Sequence, residues 1–310
     1  FPKAGITFWD VAHETNGGLI ADGYTRATGK MSMVIAQNGP GITGLVTPIK
    51  TAYWNHTPLL LVTPQAANKT MGQGGFQEVE QMNLFKDMVC YQEEVRDPSR
   101  MAEVLNRVIE KAFRGSAPAQ INVPRDYWTQ VIDIELPPIV RFERQGGGKE
   151  AIEKAAKLLS DAKFPVILSG AGVVIGNAID ECKKLAEKLD APVCNGYQHN
   201  DSFPGSHPLA VGPLGYNGSK AGMELISKAD VVLALGTRLN PFSTLPGYGI
   251  DYWPKNAKII QVDMNPDRIG LTKKETGGIC GDAKLDAQQI IEKSYLLKVR
   301  TTLVSKDIPR

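Results

Sequence analysis

Along the first 130 residues, short apolar runs alternate with stretches in which apolar side chains recur every three or four positions. Val34-Ile35-Ala36 is one such run; it ends in Gln37-Asn38-Gly39-Pro40-Gly41, and helical spacing follows over 42–53. The run 59–62 (LLLV), after Pro58, is apolar at every position, which suits a strand buried on both faces of a parallel sheet. Over 98–113, Met101, Val104, Leu105, Val108, Ile109 and Ala112 keep to one helical face, so an amphipathic helix is expected, opened by Pro98-Ser99. The run 119–123 (AQINV) reads as a further strand, stopped by Pro124.

Periodicity fades between 131 and 148, where Pro137-Pro138 and Gly146-Gly147-Gly148 bracket an expected linker. A second alternation follows: helix 149–162, strand 165–169, a Gly-rich turn, helix 177–189, and strands at 192–194, 230–235 and 258–263. Strands that alternate with helices predict an α/β fold, here two doubly wound parallel-sheet domains at 1–130 and 149–293. Residues 294–310 are basic and without clear period, and are expected as a divergent tail. With Phe1-Pro2 at the start, both termini read as cuts.

Composition narrows the function classes. A chain of 310 residues suits two domains, and 42% apolar with 22% charged residues excludes intrinsic disorder. A formal charge of +2 creates no large field, so neither nucleic acid nor a membrane surface is expected as a partner. No apolar run approaches the roughly 18–20 residues of a membrane-spanning helix. Cys90, Cys182, Cys194 and Cys280 are widely spaced and form no C-x-x-C pair, which points to free thiols and a cytoplasmic protein.

Three places offer chemistry. Gly170-Ala171-Gly172 to Gly176 follows a strand and opens a helix, the setting for a phosphate on backbone N–H groups or for a purely structural turn. Its spacing is G-x-G-x-x-x-G, and Asn195 stands where a dinucleotide fold would carry an acid. Asp263, at the end of a strand and beside Asn265-Pro266-Asp267, either caps a turn or meets a ligand. His13-Glu14 precedes a helix-like stretch rich in small residues, where a carboxylate favours the positive helix end or does chemistry.

His13-Glu14 followed by Ala21-Asp22-Gly23-Tyr24-Thr25-Arg26 resembles the glutamate motif in the pyrimidine-binding domain of thiamine-diphosphate enzymes. Asn38-Gly39-Pro40-Gly41, Thr51-Ala52-Tyr53, 57–62 (TPLLLV) and Gly75-Phe76-Gln77-Glu78 follow in the order of the acetolactate-synthase-like branch. Within it, 47–56 (TPIKTAYWNH), 63–70 (TPQAANKT), 196–201 (GYQHND) and 239–253 (LNPFSTLPGYGIDYW) are similar to the sulfoacetaldehyde acetyltransferase family, and the likeness runs from about 1 to 290.

The resemblance implies a truncated pyrimidine-binding domain, a Rossmann-like central domain, and thiamine diphosphate as cofactor. Glu14 would hydrogen-bond the pyrimidine, Gly39, Pro40 and Gly41 would lie beside the cofactor, and Gln77 would face the substrate; His56, between Trp54-Asn55 and Thr57-Pro58, is either a second substrate-side residue or a structural hydrogen-bonder. The reaction implied takes sulfoacetaldehyde and phosphate to acetyl phosphate and sulfite. Arg26, Lys50, Lys69 and Arg125 are the cations available for the anionic groups. A homodimer or homotetramer is implied as the working unit.

The family holds Mg²⁺ and the diphosphate with a third domain carrying a G-D-G motif and a downstream Asn. Gly281-Asp282-Ala283 is not that motif, so metal ligands are expected outside this chain and the chain alone is expected to be inactive. Some relatives hold FAD or a nucleotide such as ADP in the central domain, and the spacing at 170–176 argues against either here. Two other readings stay open at this point, an acetolactate-synthase-like enzyme using pyruvate and a non-catalytic nucleotide-binding module.

Overall fold

In the computed structural model, residues 2–138 and 143–294 are described, and they form two compact units, Phe1–Phe142 and Glu143–Arg310. The expected tail beyond Ser294, and 139–142 of the expected linker, lie outside the described residues.

The first unit runs α1 (Glu14–Thr28), β1 (Ser32–Ile35), α2 (Pro40–Thr43), α3 (Val46–Trp54), β2 (Leu59–Gln65), α4 (Gln81–Phe85), β3 (Tyr91–Glu94), α5 (Met101–Gly115) and β4 (Ala119–Pro124). Its strands form one parallel sheet in the order β1-β2-β4-β3, with Ile35 beside Val62 and Val62 beside Ile121. The apolar run of β2 explains why this sheet is covered on both sides. Leu59 and Leu61 pack with Ala21, Ile42, Leu45 and Ile49, whereas Leu60 and Val62 pack with Val104, Val108 and Ile121. The helical stretch expected over 42–53 is two helices, interrupted at Gly44-Leu45.

The second unit runs α6 (Lys149–Asp161), β5 (Pro165–Ser169), α7 (Ala171–Ile175), α8 (Ile179–Leu189), β6 (Val193–Asn195), β7 (Ala210–Pro213), α9 (Lys220–Ile226), β8 (Val231–Leu235), β9 (Lys258–Asp263), β10 (Gly277–Cys280) and α10 (Ala283–Lys293). A parallel sheet in the order β10-β9-β8-β5-β6-β7 lies between two apolar layers. Along β8, Val231, Leu233 and Leu235 face one layer, and Val232 and Ala234 the other. Both sheets are therefore doubly wound, as the alternating pattern predicts.

Within the expected linker, residues 144–147 are built onto the second unit. Arg144 pairs with Asp282 at 3.1 Å, the Gln145 carbonyl accepts from the Asp282 N–H, and Gly147 N–H donates to Asp286 Oδ1 at 2.6 Å. At the point where chain order reverses, between β5 and β8, the Gly-rich turn is closed by backbone. Gly170 N–H donates to the Leu235 carbonyl at 3.1 Å and Gly172 N–H to the Gly236 carbonyl at 2.8 Å. A Cβ on Gly172 would lie 2.7 Å from Gly236 Cα, so these glycines serve a close chain approach. Helix α7, a single five-residue turn, leaves those two amides engaged with β8 and not directed at a ligand, which favours the structural reading of the turn. Asp263 likewise closes its own turn, its Oδ1 accepting from Asn265 N–H at 2.9 Å.

All four cysteines are free thiols. Among the described residues, no helix is long and apolar enough to cross a membrane.

Candidate cofactor and substrate site

In a parallel sheet the loops after each strand gather at the carboxyl edge, the usual place for ligands. In the first unit that edge collects the start of α1, the 36–45 turn after β1, and the segment between β2 and α4.

Glu14 is the first residue of α1 and half-buried, at the positive end of a fifteen-residue helix. The helix start is fixed twice. His13 Nδ1 accepts from Thr15 N–H at 3.2 Å, and Thr15 Oγ1 donates to the Gly44 carbonyl at 2.6 Å. The second bond draws Glu14 against the turn: a Cβ on Gly41 would stand 3.3 Å from Glu14 Oε1, and one on Gly44 3.3 Å from Glu14 Cβ. Small residues continue this contact along α1, where Gly18 meets Pro48 of α3 with no room for a side chain. Pro40 opens α2 at its first turn, where its missing N–H costs nothing, and Gly39 precedes it at φ 76° and ψ −115°, a conformation open only to glycine.

Gln77 meets the same turn from the other side. Its φ of 62° is left-handed, unusual for a residue with a side chain. Asn38 Nδ2 donates to the Gln77 carbonyl at 3.0 Å and Gln37 Nε2 donates to Gln77 Oε1 at 2.6 Å. Behind them lies a buried polar network. Gln81 Nε2 donates to the Pro64 carbonyl at 2.7 Å and to Asn122 Oδ1 at 3.2 Å, and Thr63 Oγ1 donates to Asn122 Oδ1 at 2.7 Å. Asn122 Nδ2 in turn donates to Glu94 Oε2 at 2.8 Å. A groove of about 990 Å³ opens beside Glu14, walled by Phe8, Trp9, Val11, Met33, Ile35 and Leu45 among others.

Glu14, Gly39, Pro40, Gly41 and Gln77 are therefore brought together, and His56 is not. His56 follows α3 and precedes β2, whose first residue pairs with Ser32, so it lies at the amino edge of the sheet. Arg26 sits at that edge too, near the end of α1 and 3.8 Å from Asp22. Lys50 Nζ donates to the Asp87 carbonyl. Lys69 and Arg125 follow β2 and β4 at the carboxyl edge, where Asn68 N–H donates to Asp126 Oδ1 at 3.1 Å and ties the two loops. Sequence reasoning did not single out Gln37, Gln81, Thr63 or Asn122; for Thr63 and Asn122 the one hint is a polar residue interrupting an otherwise apolar strand. Among the described residues, no three His, Cys, Asp or Glu side chains converge as a metal-holding group.

The family described as "Thiamine pyrophosphate enzyme, N-terminal TPP binding domain" matches residues 1–84, and "Thiamine pyrophosphate enzyme, central domain" matches residues 152–290. The sulfoacetaldehyde acetyltransferase of Roseovarius nubinhibens is 80% identical over 293 residues, covering 94% of this chain and 49% of the relative. The acetolactate synthase large subunit of Corynebacterium glutamicum is 30% identical over 301 residues, covering 96% of this chain and 48% of the relative. A solved structure of benzoylformate decarboxylase from Polynucleobacter necessarius shares the fold at a TM-score of 0.79 and 22% identity, covering 92% of this chain and 53% of that one. This chain spans about half the length of the curated relatives it matches. With a TPP-binding domain followed by a central domain, the chain belongs to the thiamine pyrophosphate enzyme family.

Proposed function

We propose that this chain forms the pyrimidine-binding and central portions of a thiamine-diphosphate-dependent sulfoacetaldehyde acetyltransferase, which takes sulfoacetaldehyde and phosphate to acetyl phosphate and sulfite. The observation that carries the substrate is the 80% identity to an enzyme of that name, against 30% to an acetolactate synthase. The geometry supports the cofactor: the Glu14 carboxylate packs against the Gly41 turn, and the groove beside it is walled mostly by apolar side chains, which suits a flat heteroaromatic ring with a basic nitrogen.

When bound, thiamine diphosphate supplies a carbon nucleophile for an aldehyde carbonyl. In this reading Glu14 hydrogen-bonds a pyrimidine nitrogen and exchanges a proton there, Gly39-Pro40-Gly41 admits the ring face, and Gln77 meets the substrate. His56, at the opposite edge, is given no part. Mg²⁺ belongs to the reading as the counter-ion of the diphosphate, and no residue of this chain is assigned to it. Exposed Trp9, Leu19, Ile20 and Tyr24 support a homodimer or homotetramer that covers them, and the four free thiols suit the cytoplasm.

The test is Glu14→Gln in the full-length protein, assayed for sulfite. Turnover is expected to fall by roughly a hundredfold or more, the scale of losing a positioned acid–base group. Unchanged turnover sinks the role of Glu14, and carbon dioxide release from pyruvate in place of sulfite would move the substrate to the acetolactate-synthase side.

A further inference from the structure

Gly39 shapes the turn beside Glu14 but has no side chain with which to hold it. The turn runs from Ala36 to Leu45, and both of these wall the groove together with Glu14. Gly39 N–H donates to Gln81 Oε1 at 3.4 Å, a buried contact and the longest of the three made by this side-chain amide. Its other end is held more tightly: Gln81 Nε2 donates to the Pro64 carbonyl at 2.7 Å and to Asn122 Oδ1 at 3.2 Å.

The sense of that amide is fixed. Reversed, Gln81 would set its NH₂ group against the Gly39 N–H and its oxygen against the Pro64 carbonyl, and neither backbone group can change role. Asn122 is fixed in the same way. Its Nδ2 donates to Glu94 Oε2 at 2.8 Å and its oxygen accepts from Thr63 Oγ1 at 2.7 Å, so turned over it would point oxygen at a carboxylate. Gln81, Asn122 and Thr63 are wholly buried, where no bulk water competes for these bonds. From Glu94 in β3, through Asn122 in β4 and Pro64 in β2, to the turn after β1, one line of bonds of set direction crosses the sheet in its spatial order.

At the end of that line Gly41 lies against Glu14, since a Cβ there would stand 3.3 Å from both Glu14 Oε1 and Ala36 Cβ. We propose that Gln81 is a positioning residue for the cofactor site: by holding Gly39 N–H, its amide oxygen keeps the Gly39-Pro40-Gly41 turn seated against the Glu14 carboxylate. That the turn meets thiamine diphosphate rests on the function proposed above; the seating of the turn rests on the hydrogen bonds.

The test uses the full-length protein. Gln81→Met keeps the bulk of the side chain and removes its polar contacts. Val108→Ala, in the core layer on the other side of the sheet, controls for lost stability alone. Without cofactor, amide hydrogen exchange over 36–45 is expected to quicken by roughly tenfold in Gln81→Met, the worth of one buried hydrogen bond, and not in Val108→Ala at matched stability. Apparent affinity for thiamine diphosphate should fall by a similar factor, with the KM for sulfoacetaldehyde within twofold of wild type.

Gln81→Glu adds a proton readout. A protonated carboxyl accepts from Gly39 and donates to Pro64, whereas a carboxylate cannot donate, and burial favours the neutral form. Its cofactor affinity relative to wild type should therefore recover as pH falls from about 8.5 to about 5.5, which a pure packing role would not do. Should Gln81→Met fail to fold, Glu94→Met breaks the line at its half-exposed end and should quicken exchange over 36–45 in the same direction. Exchange within twofold of wild type in whichever of these folds, equal quickening in Val108→Ala, or quickened exchange with unchanged cofactor affinity overturns the proposal. If wild type does not bind thiamine diphosphate, the function proposed above fails instead, and the exchange result alone decides whether Gln81 seats the turn.

Discussion

Gly39 and Gly41 stand two positions apart and should fail in different ways. Gly39 has a backbone conformation that side chains avoid and faces the Gln77 carbonyl, so Gly39→Ala pairs strain with a clash. A stability loss of about 1–3 kcal/mol is expected in urea unfolding of the first unit. At Gly41 the nearest atoms stand 3.3 Å from a would-be Cβ, and one of them is the mobile Glu14 Oε1. Gly41→Ala should therefore leave the unfolding midpoint nearly unchanged and weaken thiamine diphosphate binding by titration. Equal stability losses in the two variants would contradict this division. At this scale, family resemblance pointed to Glu14, Gly39, Pro40, Gly41 and Gln77 because each sits in a short motif, and the fold gathers these five at one edge of the sheet. It did not reach Gln37, whose partner is forty residues away, and no spacing rule joins a glutamine after one strand to a glutamine after the next. His56 went the other way: a histidine in a matching motif, carried by the chain to the far edge of the sheet.

Among elements, the interior strands β2, β4, β5, β6, β8 and β9 all fall on stretches the sequence reads as mainly apolar strands, since both of their faces are covered. The strands that left no such run are β3, β7 and β10, and each is a sheet edge. β3 shows why an edge can be polar. Arg107 holds Glu93 with two bonds of 2.8 Å, Tyr91 donates to Glu93 at 2.6 Å, and Asn122 donates to Glu94. Side-chain pairing supplies there what apolar burial supplies inside, and the Arg107 guanidinium keeps the Glu93 carboxyl below its usual range.

Helix α10 carries the pH-sensitive element. Asp286 is wholly buried, and burial pushes its carboxyl up to about 6. Because the folded value lies above the unfolded one, its contribution is present at acid pH and is lost as pH rises through about 6. The full difference, from below pH 4 to pH 8, amounts to about 3 kcal/mol, and roughly half of it falls between pH 5 and pH 8, so the second unit should unfold at higher urea at pH 5 than at pH 8. Asp286→Asn, which keeps an acceptor for Gly147 N–H, should flatten that dependence; an unaltered pH profile in the variant would refute it.

For the molecule as a whole, each core layer draws its residues from a single unit. Residues 143–294 expressed alone should therefore fold, and a calorimetric scan should reproduce one of two transitions of the intact chain within a few degrees. A single cooperative transition for the chain, or an unfolded second unit, would show that the units depend on each other. That the chain comprises two α/β units was readable from the break in periodicity after 130. The seating of 144–147 on the start of α10 was not, because Gly146 and Gly147 carry no hydropathy pattern and the contacts are polar: an ion pair, a backbone pair and a backbone N–H to a carboxylate.

The strand order β1-β2-β4-β3 also has a consequence in time. β3 is made before its only neighbour, β4, and 25 residues separate Glu94 from Ala119. At ~5–20 residues per second on the ribosome, β3 waits roughly 1–5 seconds for its partner. An apolar strand left open that long would invite a stray chain. Tyr-Gln-Glu-Glu at 91–94 lets the nascent edge stay in water until β4 arrives, so the composition that hides β3 from pattern reading also protects it during synthesis.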